Sequence, residues 1–243
     1  MTVRIIETSK FDLKNPILIE GFPGLGLVGT ISASYLADKL GMEPLGYITS
    51  ERFPPIAAIH NYNPLFPARL YKSKKHNIVV LFSELIMPIQ TIHALTDEII
   101  GWSLKHKVKQ IISLGGIGIK GEQDEVFGVA SSPELNKKLQ KAGVKLIKEG
   151  ATTGVNGLLL AKCASMNFPA ISLLAESKPE YLDPLAAAMV LDALNKLTGL
   201  KVDTSKLTQE SKLLESKLKE LMANAKTSHD QYKKAEGTGP MYG

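Results

Sequence analysis

Short apolar runs followed by helical stretches recur from residue 17 to about residue 199, and this alternation restricts the fold more than any other feature. The runs at residues 17–20, 110–114 and 170–174 lack the polar alternation of a half-solvated strand and read as strands buried on both faces. Helical periodicity is expected at residues 25–39 and 91–105. Two further helices carry their own punctuation. Ser132 and Pro133 open one that stops at Gly143, and Asp183-Pro184 opens one that closes at Gly199. Strands are also expected at residues 45–49, 56–60, 69–72 and 77–82, the last two forming a hairpin around the bend Lys72-Ser73-Lys74-Lys75. Gly115-Gly116-Ile117-Gly118 reads as a loop, and Gly154-Val155-Asn156-Gly157 as part of a second strand–helix unit leading into residues 158–165. The pattern predicts one α/β domain over residues 1–200, a sheet covered on both faces with an antiparallel insertion at the hairpin.

After Gly199 the pattern changes. Residues 204–235 contain no Gly and no Pro, and Asp203-Thr204-Ser205 can cap a helix. Leu207, Leu214 and Leu221 recur every seven residues, with Leu218 in the second seam position. A helical, short coiled-coil-like extension is therefore expected over residues 201–236, followed by a flexible tail at 237–243. So short a heptad pattern serves a free coiled coil or a helix folded back on the domain equally well.

Composition narrows the function. At 44% apolar and 22% charged residues the chain is globular, and no apolar run approaches the ~18 residues of a membrane span. A charged N-terminus without an apolar leader, and a lone cysteine, Cys163, suit a cytoplasmic protein with no disulfide and no cysteine metal cluster. The net charge of +5 does not point to nucleic acid. Only three of the 29 basic residues are arginines, and the lysines are dispersed.

Catalytic patterns are missing too. The five histidines show no metal-ligand spacing, and there is no nucleophile elbow or phosphate loop, so no cofactor, metal or catalytic residue is expected. Cys163, inside an apolar helix, reads as a structural thiol. Gly24-Leu25-Gly26-Leu27-Val28-Gly29 does imitate a dinucleotide fingerprint, with Glu51 further along. Pro23, however, removes an amide where phosphate would need one, and Glu51 lies past its strand. These glycines can equally let the backbone turn and a helix approach a strand closely. A nucleotide- or nucleoside-binding enzyme using the Gly24–Gly29 loop is thus the alternative function.

Taken whole, Glu20-Gly21-Phe22-Pro23-Gly24-Leu25-Gly26-Leu27-Val28-Gly29 resembles the N-terminal signature of the archaeal proteasome assembly chaperone family. Phe53-Pro54-Pro55, Leu114-Gly115-Gly116 and Thr152-Thr153-Gly154-Val155-Asn156-Gly157 support the likeness, which spans residues 1 to about 200. The signature residues Glu20, Gly21, Phe22, Pro23, Gly24, Gly26 and Gly29 are then expected to shape the fold or an oligomer surface. The resemblance implies an α/β three-layer sandwich like that of nucleoside phosphorylases, without their active site and carrying the C-terminal helical extension. It also implies a non-enzymatic homo-oligomer whose partner is the α-ring of the proteasome core particle.

Met241-Tyr242-Gly243 matches the hydrophobic–Tyr–any-residue tail by which proteasome activators and assembly chaperones dock. Such a match arises by chance at about 1%, so it gains force when joined to the signature. Tyr242 offers a flat ring with one polar handle and Met241 an adaptable side chain. The resemblance sets the Gly243 carboxylate against a lysine between α-subunits. The family carries two roles, assembly and gate opening, and both stay open here.

Overall fold

The computed structural model describes residues 2–118, 125–177 and 182–207. Its strands are β1 (Val3–Glu7), β2 (Ile17–Gly21), β3 (Glu43–Ser50), β4 (Ala58–His60), β5 (Asn63–Leu65), β6 (Ala68–Ser73), β7 (Ile78–Ser83), β8 (Gln110–Ile117), β9 (Val126–Ala130), β10 (Lys145–Leu146) and β11 (Ala170–Glu176). The helices are α1 (Val28–Lys39), α2 (Ile92–Lys105), α3 (Pro133–Lys141), α4 (Gly154–Ser165) and α5 (Pro184–Thr198). The main sheet runs β1-β3-β6-β7-β2-β8-β11-β9-β10. At its centre β7, β2, β8 and β11 are parallel, while β1, β3 and β6 form an antiparallel flank.

Successive side chains of the central strands feed two cores, which is why these strands read as continuous apolar runs. Ile19, Ile112 and Ile171 point to the side covered by α1, α3 and α5. Leu18, Ile111 and Ala170 point to the side covered by α2 and α4. The fold is therefore helix, sheet, helix, as expected. The 69–72/77–82 hairpin is present as β6–β7.

Four local expectations need correction. Gly115, Gly116 and Ile117 continue β8 rather than forming a loop. A Cβ on Gly116 would collide with the Leu25 carbonyl, so the glycines mark a close approach and not a turn. Residues 154–157 are the first turn of α4, with Gly154 at φ 72. The strand expected at 56–60 shrinks to β4, which pairs only with β5 in a separate small hairpin. Strands β1, β5, β9 and β10 were not anticipated; β1 and β9 are partly exposed, and β9 carries Gly128 at its centre.

The caps behave as read. Ser132 accepts from the Leu135 amide, Asp183 accepts from the Ala186 amide at 2.9 Å, and Gly199 closes α5 at φ 78. Leu207 is buried against the α1/α5 side and Tyr35 donates to the Asp203 carbonyl at 2.9 Å, so the chain stays on the body up to that residue. The expected helix over 204–235 lies almost entirely outside the described residues. Among the described residues, no helix is long and apolar enough to cross a membrane.

Candidate functional site

The signature residues occupy the end of β2 and the turn into α1. Gly21 faces α1 so closely that a Cβ would strike the Gly29 carbonyl. A Cβ on Gly29 would in turn meet the Leu114 carbonyl of β8 and lie 2.9 Å from the carbonyl of Phe22. These two glycines bring helix and sheet into backbone contact. Gly26, at φ 60, has its carbonyl accepting from the Asp183 amide at 2.9 Å, and a Cβ there would overlap the Ser177 hydroxyl. Ser177 donates to Asp183 at 2.9 Å, so the turn is locked to the start of α5. Gly24 is different, with nothing within 4 Å of its would-be Cβ. The turn is thus occupied by packing where a dinucleotide fingerprint would present amides to phosphate.

Glu20 is wholly buried on the α2/α4 side of the sheet. Strand register sets it beside Ser113 of β8, and Ser113 beside Ser172 of β11. This polar row crosses the sheet centre under α4, where Cys163 is buried. Neither carboxyl oxygen of Glu20 completes a hydrogen bond of ordinary geometry. Burial pushes its pKa up to about 8, against a smaller downward pull from the Ser113 hydroxyl and the Phe22 amide. Glu20 is a neutral carboxylic acid at neutral pH. Burial, and secondarily the Glu20 carboxylate, push the Cys163 thiol up to about 11, which makes it a poor nucleophile.

Beside the signature turn, a cavity of about 840 Å³ opens at the carboxyl ends of β2, β8 and β11. In the strand order the chain leaves β2 toward β3 and leaves the adjacent β8 toward β9, in opposite directions, so the cavity sits where connections diverge. Phe22 to Leu25 form one wall, residues 115–118 the floor, and the start of α4 the opposite wall. Asn156 fixes that wall by donating to the Leu114 carbonyl at 3.1 Å. Among the described lining residues only Lys148 and Glu149 are charged, and the apolar part includes Phe127, Leu160 and Leu174. Such a cavity could hold a small, partly apolar molecule. Among the described residues, no three His, Cys, Asp or Glu side chains are placed to hold a metal ion.

The sequence profile of the PAC2 family matches residues 18–222, most of the chain. The chain belongs to the PAC2 family. An uncharacterised protein of Methanocaldococcus jannaschii is 36% identical over 220 residues, covering 90% of this chain and 91% of that protein. Among solved structures, Pyrococcus furiosus PbaA, described as an archaeal homologue of proteasome-assembly chaperone, superposes with a TM-score of 0.83. It is 33% identical, over 95% of this chain and 99% of that one. Pyrococcus furiosus PbaB, described as an archaeal proteasome activator, has a TM-score of 0.76 and 26% identity over 90% and 98% of the two chains.

Within this family fold the structure brings Glu20, Gly21, Phe22, Pro23, Gly24, Gly26 and Gly29 together around the α1 turn and one rim of the cavity. Met241, Tyr242 and Gly243 lie outside the described residues. The sequence did not single out the cavity, although its walls contain residues 115–116 and 152–156 of the supporting segments. Those glycines and threonines signalled a shared location that only the sheet order reveals.

Proposed function

We propose that this PAC2 protein is a non-enzymatic, homo-oligomeric ligand of the proteasome core particle. In this reading Met241, Tyr242 and Gly243 dock into pockets between neighbouring α-subunits. The observation that carries the reading is the whole-length likeness to PbaA and PbaB, whose descriptions are proteasomal. The C-terminal Met241-Tyr242-Gly243 supports it from an independent part of the chain. One buried tyrosine and part of a methionine give only a few kcal/mol before the ordering cost, so a single tail binds weakly. Several tails on one oligomer make later contacts intramolecular.

The test is peptide hydrolysis by an archaeal core particle, with co-sedimentation on the same samples, comparing the full chain with one ending at Pro240. Binding and stimulated hydrolysis, both lost on truncation, support docking with gate opening. Tail-dependent binding without stimulation supports an assembly role. Absence of binding by the full chain refutes the proposal.

The cavity favours a second reading, a small-molecule binder whose wall includes Phe22–Leu25. A thermal shift series with nucleosides and nucleotides tests it, because a ligand of the folded state raises Tm with concentration. No shift across the series ends that reading.

A further inference from the structure

Strand register lays out the floor of the cavity beside the signature turn. Gly115 of β8 pairs with Leu174 of β11, and Leu174 with Phe127 of β9, so the three form one row across the sheet. Gly116 and Gly118 extend the lining without side chains, and Phe22 adds a second ring at the β2 end. Peptide planes and two rings suit a flat molecule. Gly24 leaves room as well. Its φ of −155° is extended backbone that any residue adopts, and a Cβ there would meet nothing within 4 Å. Neither conformation nor packing accounts for a glycine at this edge of the cavity. The opposite wall is loosely held. Residues 148–154 are exposed one after another, although all of them line the cavity. Among the described residues, no amide or side chain from Lys148 to Thr153 makes a hydrogen bond or an ion pair. The segment is fastened beyond its two ends, where the Ile147 amide donates to the Gly128 carbonyl at 3.0 Å and Asn156 donates to the Leu114 carbonyl at 3.1 Å.

We infer that the cavity takes an uncharged, flat aromatic molecule and that residues 148–153 are the lid through which it enters. A cavity of about 840 Å³ lies in the range that holds a drug-sized ligand. The charge follows from the lining. Lys148 and Glu149 are neighbours of opposite sign on the exposed segment, and the other described lining residues carry no charge. An anion on that floor would lose its water with no arginine and no unopposed lysine beside it, whereas an uncharged ring loses nothing that the apolar lining does not return. Access follows from the missing hydrogen bonds. Displacing residues 148–153 breaks none through their amides or side chains, and exposed segments of that kind open at the lowest cost in a fold. The inference goes beyond the small-molecule reading of this cavity by naming the charge, shape and entry route of the ligand. Its readouts are separate from the nucleoside and nucleotide series, so either experiment can fail while the other succeeds.

The test uses two fluorescent probes of one skeleton, uncharged N-phenyl-1-naphthylamine and its anionic sulfonate, 8-anilinonaphthalene-1-sulfonate. Each is titrated into the full chain and into Gly24→Trp and Leu160→Trp, which fill the cavity from two different walls. Circular dichroism and Tm establish that each variant folds. The uncharged probe should bind one site per chain, about tenfold or more tighter than the sulfonate, and the folded variants should weaken it about tenfold or more. No binding, or binding that neither folded variant weakens, overturns the site. Equal affinity for the sulfonate overturns the ligand class. Trypsin tests the lid on the unaltered chain. It should cut after Lys148, and saturating uncharged probe should slow that cut about tenfold while cuts elsewhere keep their rate. Protection at Lys148 also locates the probe without any substitution. A free chain resistant at Lys148, or a cut that bound probe leaves unchanged, overturns the lid.

Discussion

Glu20 opens the signature and is also the most unfavourably placed titratable group described. Its pKa of about 8 in the fold compares with 4.5 for an ordinary glutamate. As pH rises above 4.5 the unfolded chain loses this proton while the folded chain keeps it, so stability falls by about 1.4 kcal/mol per pH unit until the folded carboxyl titrates. The contribution is fully present below 4.5 and lost by about pH 8. Glu20→Gln keeps the shape without the charge, and should raise the denaturation midpoint at pH 8–9 while changing it little at pH 4. Urea titrations at the two pH values check this. An equal shift at both would mean that burial does not hold the proton. The neighbouring glycines differ from one another in the same measurable way. Gly29→Ala should cost about 3 kcal/mol or more, because its Cβ meets backbone of both β2 and β8, whereas Gly24→Ala should stay within about 0.5 kcal/mol, its Cβ entering open space. The sequence identified these residues as a group; which glycine serves contact and which does not depends on the strand beside them, a non-local fact.

At the level of elements, buried strands and capped helices were readable because each carries local punctuation. Ser132-Pro133 and Asp183-Pro184 start helices, Gly143 and Gly199 end them, and the apolar runs of β2, β8 and β11 have one interpretation at that length. Strands on the flank were harder to read. β1 is half-exposed and acquires its structure from pairing with β3, whose residues lie 39 to 47 positions away. The β4–β5 hairpin depends on Glu84, a residue beyond it in sequence. Burial would raise the Glu84 pKa, but the His60 hydrogen bond and the charges of Arg69 and His60 outweigh it and hold the carboxyl below its ordinary value. Its stabilisation is present above about pH 4.5 and disappears as pH falls through the lowered pKa, the reverse of Glu20. Glu84→Gln leaves Arg69 buried without a counter-charge and should cost about 3 kcal/mol. Hydrogen exchange should show the amides of residues 58–65 losing protection first; uniform loss across the sheet would mean that the ion pair supports the core as a whole and not the hairpin.

For the whole molecule, the proposed function couples the body and the tail by number. The cavity was illegible in the sequence because its walls come from segments more than a hundred residues apart, joined by a strand order that no local signal states. The proposed docking motif, Met241-Tyr242-Gly243, is by contrast three consecutive residues, so the sequence alone can suggest it. In that reading, the number of copies that assemble sets how many tails meet one ring. A monomeric form of the protein still carries Met241-Tyr242-Gly243, so it should bind the core particle through one tail only. Its apparent affinity should be about 10²-fold weaker than that of the oligomer, the gain expected when later tails bind at high effective concentration. A synthetic peptide of the last seven residues should match the monomer in competition. Mixing full-length subunits with subunits ending at Pro240 should then lower binding more steeply than the fraction of tails removed, because each truncated subunit takes an intramolecular contact from a whole assembly. Binding that falls in simple proportion, or a monomer that binds as tightly as the oligomer, would show that one tail suffices and that self-association serves another purpose.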